Sequence, residues 1–289
     1  MTDNTSRIRG ILLITGAAFF FATMSAFVHL SGELPFFQKC FFRNLVALLV
    51  AGFALVRSKK PLNIVKGSVL FLCIRCVAGT IGIFGNFYAI DRIPLSDAAM
   101  LNKMAPFFAV IFSYLVLKEK IRPLQAIFLI LAFFGAMLVV KPSFNFTESL
   151  PAFAGFFGGV GAGCAYGCVR KLSTFKMNGK FIVFCFSAFS CLVALPWLIL
   201  YFEPMTFSQL FLLLMAGLCG AGGQFCVTAA YFAAPAKEIS VFDYSQVIFA
   251  ALEGFFLFGQ VPDGLSFFGC VIIISMGIAM FFYEKKKAL

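Results

Sequence analysis

AAMLNKMAPFFAVIFSYLVL, residues 98–117, decides the fold. It is one apolar run with a single formal charge, Lys103. An α-helix needs about 20 apolar residues to cross a ~30 Å hydrocarbon core, so this stretch predicts a membrane span. Working outward, similar runs recur at about 9–31, 36–56, 67–90, 95–117, 122–140, 150–170, 180–201, 206–233, 239–258 and 264–283. Of the 289 residues, 62% are hydrophobic and only 12% charged. Soluble domains carry about 25% charged residues, so the expected class is an all-α integral membrane protein with ten transmembrane helices.

The net charge of +11 could suggest nucleic acid, but its distribution points elsewhere. With a cytoplasmic N-terminus, 17 of the 23 Lys and Arg fall at inner ends, including Arg57, Lys59 and Lys60, and only Lys39, Arg92 and Lys141 at outer ones. Such a bias sets orientation and predicts both termini inside, with a lipid bilayer and no nucleic acid as partner. The first run is longer than a signal-peptide core and lacks a small-residue cleavage site, so it is read as retained. Every connection is short. The ten cysteines lie mostly within spans and read as small packing residues. No cofactor, metal site or catalytic residue is expected.

The two halves match at an offset of about 141 residues. Gly79 and Gly82 correspond to Gly220 and Gly223, and Glu119 to Gln260. Each unit, 1–141 and 150–289, holds five helices. An odd number makes the second copy enter the membrane in the opposite sense, the inverted repeat of many secondary transporters.

Arg43, Arg75 and Lys103 sit inside these apolar runs. A charge at bilayer depth costs at least ~2.5–3.5 kcal/mol on insertion scales and usually faces a polar cavity. Arg75, Gly79, Gly82 and Asn86 share one helical face, with room for the arginine above it. Gly155, Gly159, Gly163 and Gly167 line another face, a pattern for close helix association or an opening. Ser240, Asp243, Gln246, Ala250 and Glu253 form a polar stripe, and Asn102 and Lys103 map onto Asp243 and Tyr244 through the repeat. Lys103 and Asp243 are therefore expected to share a central cavity. The candidate substrate-binding set is Arg75, Lys103, Arg43, Asn102, Asp243, Tyr244, Gln246 and Asn86. Glu253, Asp97 and His29 are the candidates for coupling or gating, since a carboxyl in a dry site or a histidine can titrate near neutral pH. Three cations against the anions Asp243 and Glu253 suit an anionic or zwitterionic ligand, because guanidinium pairs bidentately with carboxylate or phosphate.

FFRNLVALLV (41–50), AAMLNKMAPFFAVIFSYLVLKEKI (98–121) and LILAFFGAMLVV (129–140) resemble the drug/metabolite transporter superfamily, EamA-like branch. The resemblance spans essentially the whole chain and rests best on Arg43, Pro106, Lys118 and Glu119; Gln260 and Val247 depart from the pattern in the second repeat. It implies a multi-pass secondary carrier of the cell inner membrane, moving a small metabolite by alternating access between the repeats, with protons or a counter-substrate as coupling partner and a homodimer as an open assembly. LCIRCVAGTIGIFGNFYAI (72–90) is similar to the third helix of members that take up S-adenosylmethionine, which makes such an uptake carrier or exchanger the alternative substrate reading. The cationic residues alone would allow a channel, but inverted five-helix repeats with charges buried at unequal depths fit a gated carrier better. An intramembrane enzyme would need a nucleophile–base pair or metal-ligand cluster that the sequence lacks.

Overall fold

The computed structural model describes residues 4–58, 61–93, 95–143, 149–259 and 261–288. Gln260, Lys59 and Lys60, which the sequence reading used, lie outside them. The elements are α1 (Asn4–Leu30), α2 (Phe36–Val56), α3 (Ser68–Ile90), α4 (Leu95–Asn102), α5 (Ala105–Leu117), α6 (Pro123–Val140), α7 (Ser149–Thr174), α8 (Gly179–Leu200), α9 (Phe207–Ala233), α10 (Ala236–Ile239), a 3₁₀ turn (Ser240–Tyr244), α11 (Ser245–Phe258) and α12 (Gly264–Ala288). No strand occurs among the described residues. Among the described residues, ten segments are long and apolar enough to cross a membrane. Leu12, Leu49, Phe53, Phe207 and Phe267 stand exposed, an outward apolar surface that suits lipid rather than water.

Helix starts follow local chemistry. Thr206 and Gln209 cap α9 reciprocally, the Thr206 hydroxyl accepting from the Gln209 N–H at 3.2 Å and the Gln209 side chain from the Thr206 N–H at 2.9 Å. Pro123 opens α6, where a missing N–H does no harm.

The fourth and ninth spans differ from the continuous helices the sequence predicts. Pro106 has no N–H for the Asn102 carbonyl, and its ring crowds that carbonyl. The chain therefore leaves helix α4 at Asn102, turns through Lys103 and Met104 and resumes at Ala105. The N–H of Phe107 bonds the Met104 carbonyl at 3.1 Å, a tighter turn. In the ninth span, Pro235 starts the four-residue α10, which passes into the 3₁₀ turn before α11 begins. The turn's Ser, Val, Phe, Asp and Tyr all have modest helix propensity. Lys103 and Tyr244, one in each interruption, are 141 positions apart. The Tyr244 hydroxyl donates to the Lys103 carbonyl at 3.2 Å, occupying an acceptor that the break frees.

The main helix pairs are α1 with α9, α3 with α7, α2 with α8, α6 with α12, α5 with α7, α2 with α9, and α1 with α11. The glycine face of α7 is a packing face: a Cβ at Gly163 would stand 2.7 Å from the Ala105 carbonyl oxygen, so α5 and α7 approach to backbone contact.

Candidate functional site

At the centre of the bundle a cavity of about 90 Å³ is bounded by α1, α2, α3, α4, the start of α5, α7, α8, α9 and the interrupted ninth span. Three buried charges line it: Arg43 and Arg75 are 2% and 1% exposed and Asp243 7%.

Arg75 projects from α3. Its guanidinium lies over the Phe186 ring, 4.0 Å from the centroid, and Nη2 donates to Gln224 Oε1 at 2.8 Å. Its Nε is buried and has no partner. Room comes from Gly79, one turn on, where a Cβ would collide with the guanidinium and stand 2.7 Å from Phe186. Arg43 on α2 is held differently. Nη1 donates to Asn44 Oδ1 at 2.8 Å and Nε to Met24 Sδ at 3.4 Å, while Asn44 Nδ2 donates to the Cys40 carbonyl at 2.9 Å. Its seat is made by Gly220 of α9, where a Cβ would lie 2.9 Å from Arg43 Nε. Gly79 and Gly220 are the pair related by the repeat offset, and each accommodates an arginine.

Opposite them, Lys103 Nζ donates to Gln246 Oε1 at 2.5 Å and stands 3.9 Å from Asp243 Oδ2. Lys103 and Asp243 thus meet as an ion pair but do not share the cavity wall: Asp243, Gln246, Asn86 and Asn102 line it, and Lys103 is not among the lining residues. Gly79 and Gly82 line it with Arg75 and Asn86, so the face read on α3 is real.

Besides Lys103, four candidates belong elsewhere. Tyr244 packs edge-on to Phe107 and Phe133 and ties the two helix breaks together instead of lining the cavity. Glu253 lies two turns beyond Gln246 on a similar face, ~10 Å higher, where α1 covers it. There Thr23 Oγ1 donates to Glu253 Oε1 at 2.6 Å, and Oε2 is buried with no partner. Asp97 is a loop clamp, accepting from the Ser143 N–H at 2.5 Å and from the Ser143 hydroxyl at 2.6 Å. His29 is exposed at the end of α1 and meets the Phe258 ring edge-on.

The sequence reading missed Gln224, Phe186 and Tyr166, which also line the cavity. Gln224 was detectable: it stands one turn after Gly220 in an otherwise apolar run. Phe186 was hidden among 42 phenylalanines. Tyr166 stacks on Tyr231 with ring centroids 5.4 Å apart, towards the end of the bundle where α1 starts. Two ion pairs fasten that end. Arg170 Nε bonds Glu119 Oε1 at 3.0 Å while Nη1 reaches the Tyr231 carbonyl at 3.3 Å, and Arg7 Nε bonds Glu238 Oε2 at 3.0 Å.

Residues 8–141 match the EamA-like transporter family. Over 280 residues the chain is 34% identical to the pseudopaline exporter CntI of Pseudomonas aeruginosa, covering 94% of this chain and 95% of that protein. This chain belongs to the EamA-like transporter family. The human solute carrier family 35 member G1 is 26% identical over 96% of this chain and 81% of its own length. A crystal structure at 17% identity superposes with a TM-score of 0.80, covering 94% of this chain and 96% of its own, which shows the shared fold. Family membership makes the chain a small-molecule transporter of the cell inner membrane and not an enzyme.

Proposed function

We propose that this carrier exports a small polar metabolite bearing acidic groups, by alternating access in the central cavity. The observation that carries the reading is the cavity itself, which Arg43 and Arg75 line while donating only to neutral side-chain acceptors. Export follows the likeness to the pseudopaline exporter.

The two units, 1–141 and 150–289, are read as inverted repeats with both termini cytoplasmic. Exchanging the first five spans with the last five turns the pair α1–α9 into α7–α3, and α7–α5 into α1–α11, while α2–α8 and α6–α12 map onto themselves. The interrupted fourth and ninth spans support rocking around a fixed site, since discontinuous helices at the repeat interface build many transporter sites. A cavity of about 90 Å³ is smaller than the ~150 Å³ that accepts benzene, so loading requires the helices to part. Protons or a counter-substrate drive the cycle, and Glu253, with its unpartnered oxygen, is the coupling candidate retained. The S-adenosylmethionine reading loses ground: that molecule carries a sulfonium, an ammonium and one carboxylate, a net cation facing a cationic site.

Untargeted mass spectrometry of medium from cells overproducing the protein tests the proposal. Acidic metabolites should accumulate outside relative to an empty-vector strain, and R75Q should abolish the difference at equal membrane abundance. Accumulation inside the cells instead, or an undiminished R75Q effect, would refute it.

A further inference from the structure

We infer that the central site takes a ligand presenting two separate acidic groups, one to Arg43 and one to Arg75. This deepens the transport reading of the same cavity and rests on it. The sequence alone sets three cations against two anions and so admits a ligand with a single negative charge. The structure changes the count. Glu253 lies behind α1, bonded to Thr23, and drops out. Lys103 and Asp243 face each other at 3.9 Å and largely cancel. Arg43 and Arg75 remain, both buried, and no carboxylate of the described residues pairs with either.

Their partners are neutral. Asn44 takes one N–H of Arg43 and Gln224 one of Arg75, Met24 sulfur receives Arg43 Nε, and Arg75 Nε has no partner. Each guanidinium thus keeps unpaired donors beside the cavity. Both line the same cavity, and burial of unpaired like charges is strongly unfavourable. A monocarboxylate would neutralise one fork and leave the other. Two carboxylates on one molecule, or a carboxylate and a phosphate, neutralise both, and a guanidinium fork matches either group. Gly79 and Gly220 keep the two arginines in separate seats on different helices, so the acidic groups are read at two points rather than one.

The test is titration calorimetry and thermal unfolding of the purified full chain in nanodiscs. The probes are glutarate (two carboxylates), 3-phosphonopropionate (carboxylate and phosphonate) and butyrate (one carboxylate). At least one two-acid probe should bind ten-fold or more tighter than butyrate, and the stronger of the two identifies the second acidic group. R43Q or R75Q should bring that ratio close to one. The double variant without ligand should melt no lower than the native chain, because it sheds two uncompensated charges. Should the glutamine variants fail to fold, R43K and R75K keep the charge but lose the fork: affinity should fall while the two-acid preference persists. Butyrate binding as tightly as both two-acid probes, with all three lost in R75Q, would overturn the inference and leave the cavity as the substrate site. Binding indifferent to both arginines would overturn the cavity reading too, and no binding by any probe counts against the inference.

Discussion

At the residue scale, Lys103 separates structure from transport. Its ammonium meets Asp243 and Gln246 in a buried setting, and removing one partner of a buried ion pair typically costs 3–5 kcal/mol because the other charge stays behind. K103M should lower the unfolding temperature markedly, and K103M/D243L should recover most of the loss. Differential scanning fluorimetry on the four proteins of the cycle checks this. If the stable double variant still transports, the pair only fixes helix register; if it does not, the pair belongs to the cycle. This contact was legible beforehand, because a repeat offset placed a lysine and an aspartate at equivalent depth. Glu253 was misplaced for a related reason: helical spacing reports a face, not what covers that face two turns higher. Only the position of α1 shows that Thr23 claims it.

At the element scale, the breaks in the fourth and ninth spans were invisible to hydropathy, which counts apolar residues and ignores backbone donors. Pro106 was in view, yet a proline in a membrane helix is tolerated when neighbours satisfy the freed carbonyl, so its presence alone does not foretell an interruption. The ninth span holds no proline between Ala236 and Phe258, and its 3₁₀ turn had no single-residue signal. P106A restores the missing N–H and should let the fourth span run straight. The expected result is a lower turnover with ligand affinity changed less than about three-fold, read as kcat against KM in proteoliposomes. Equal turnover would mean that the break plays no part in the cycle. Y244F tests the same junction more gently: leaving a buried carbonyl unpaired costs about 1–3 kcal/mol, measurable as a drop in melting temperature.

For the whole molecule, the end that carries Arg7 and Arg170 is closed by two ion pairs and the Tyr166–Tyr231 stack. The cavity lies beyond that closure. E119Q removes the charge that holds Arg170 and should shift the population towards a form open at that end. Cys168, buried one half-turn before Arg170, reports it: labelling by a water-soluble maleimide, mapped by mass spectrometry, should rise several-fold. Labelling unchanged from the native level would mean the pair is not part of the closure. The ten spans and their central charges were readable from composition and spacing, whereas this closure was not, because it joins residues 51 and 231 positions apart that only packing brings together. The hydrogen bond from Tyr244 to the Lys103 carbonyl has a further mechanical consequence. In the transport cycle proposed above each interruption serves as a hinge, and a bond from one hinge to the other couples them into a single movement. Bending at either break loads the opposite half at once, so relaxation experiments on the native chain should resolve one conformational exchange process, and on Y244F two.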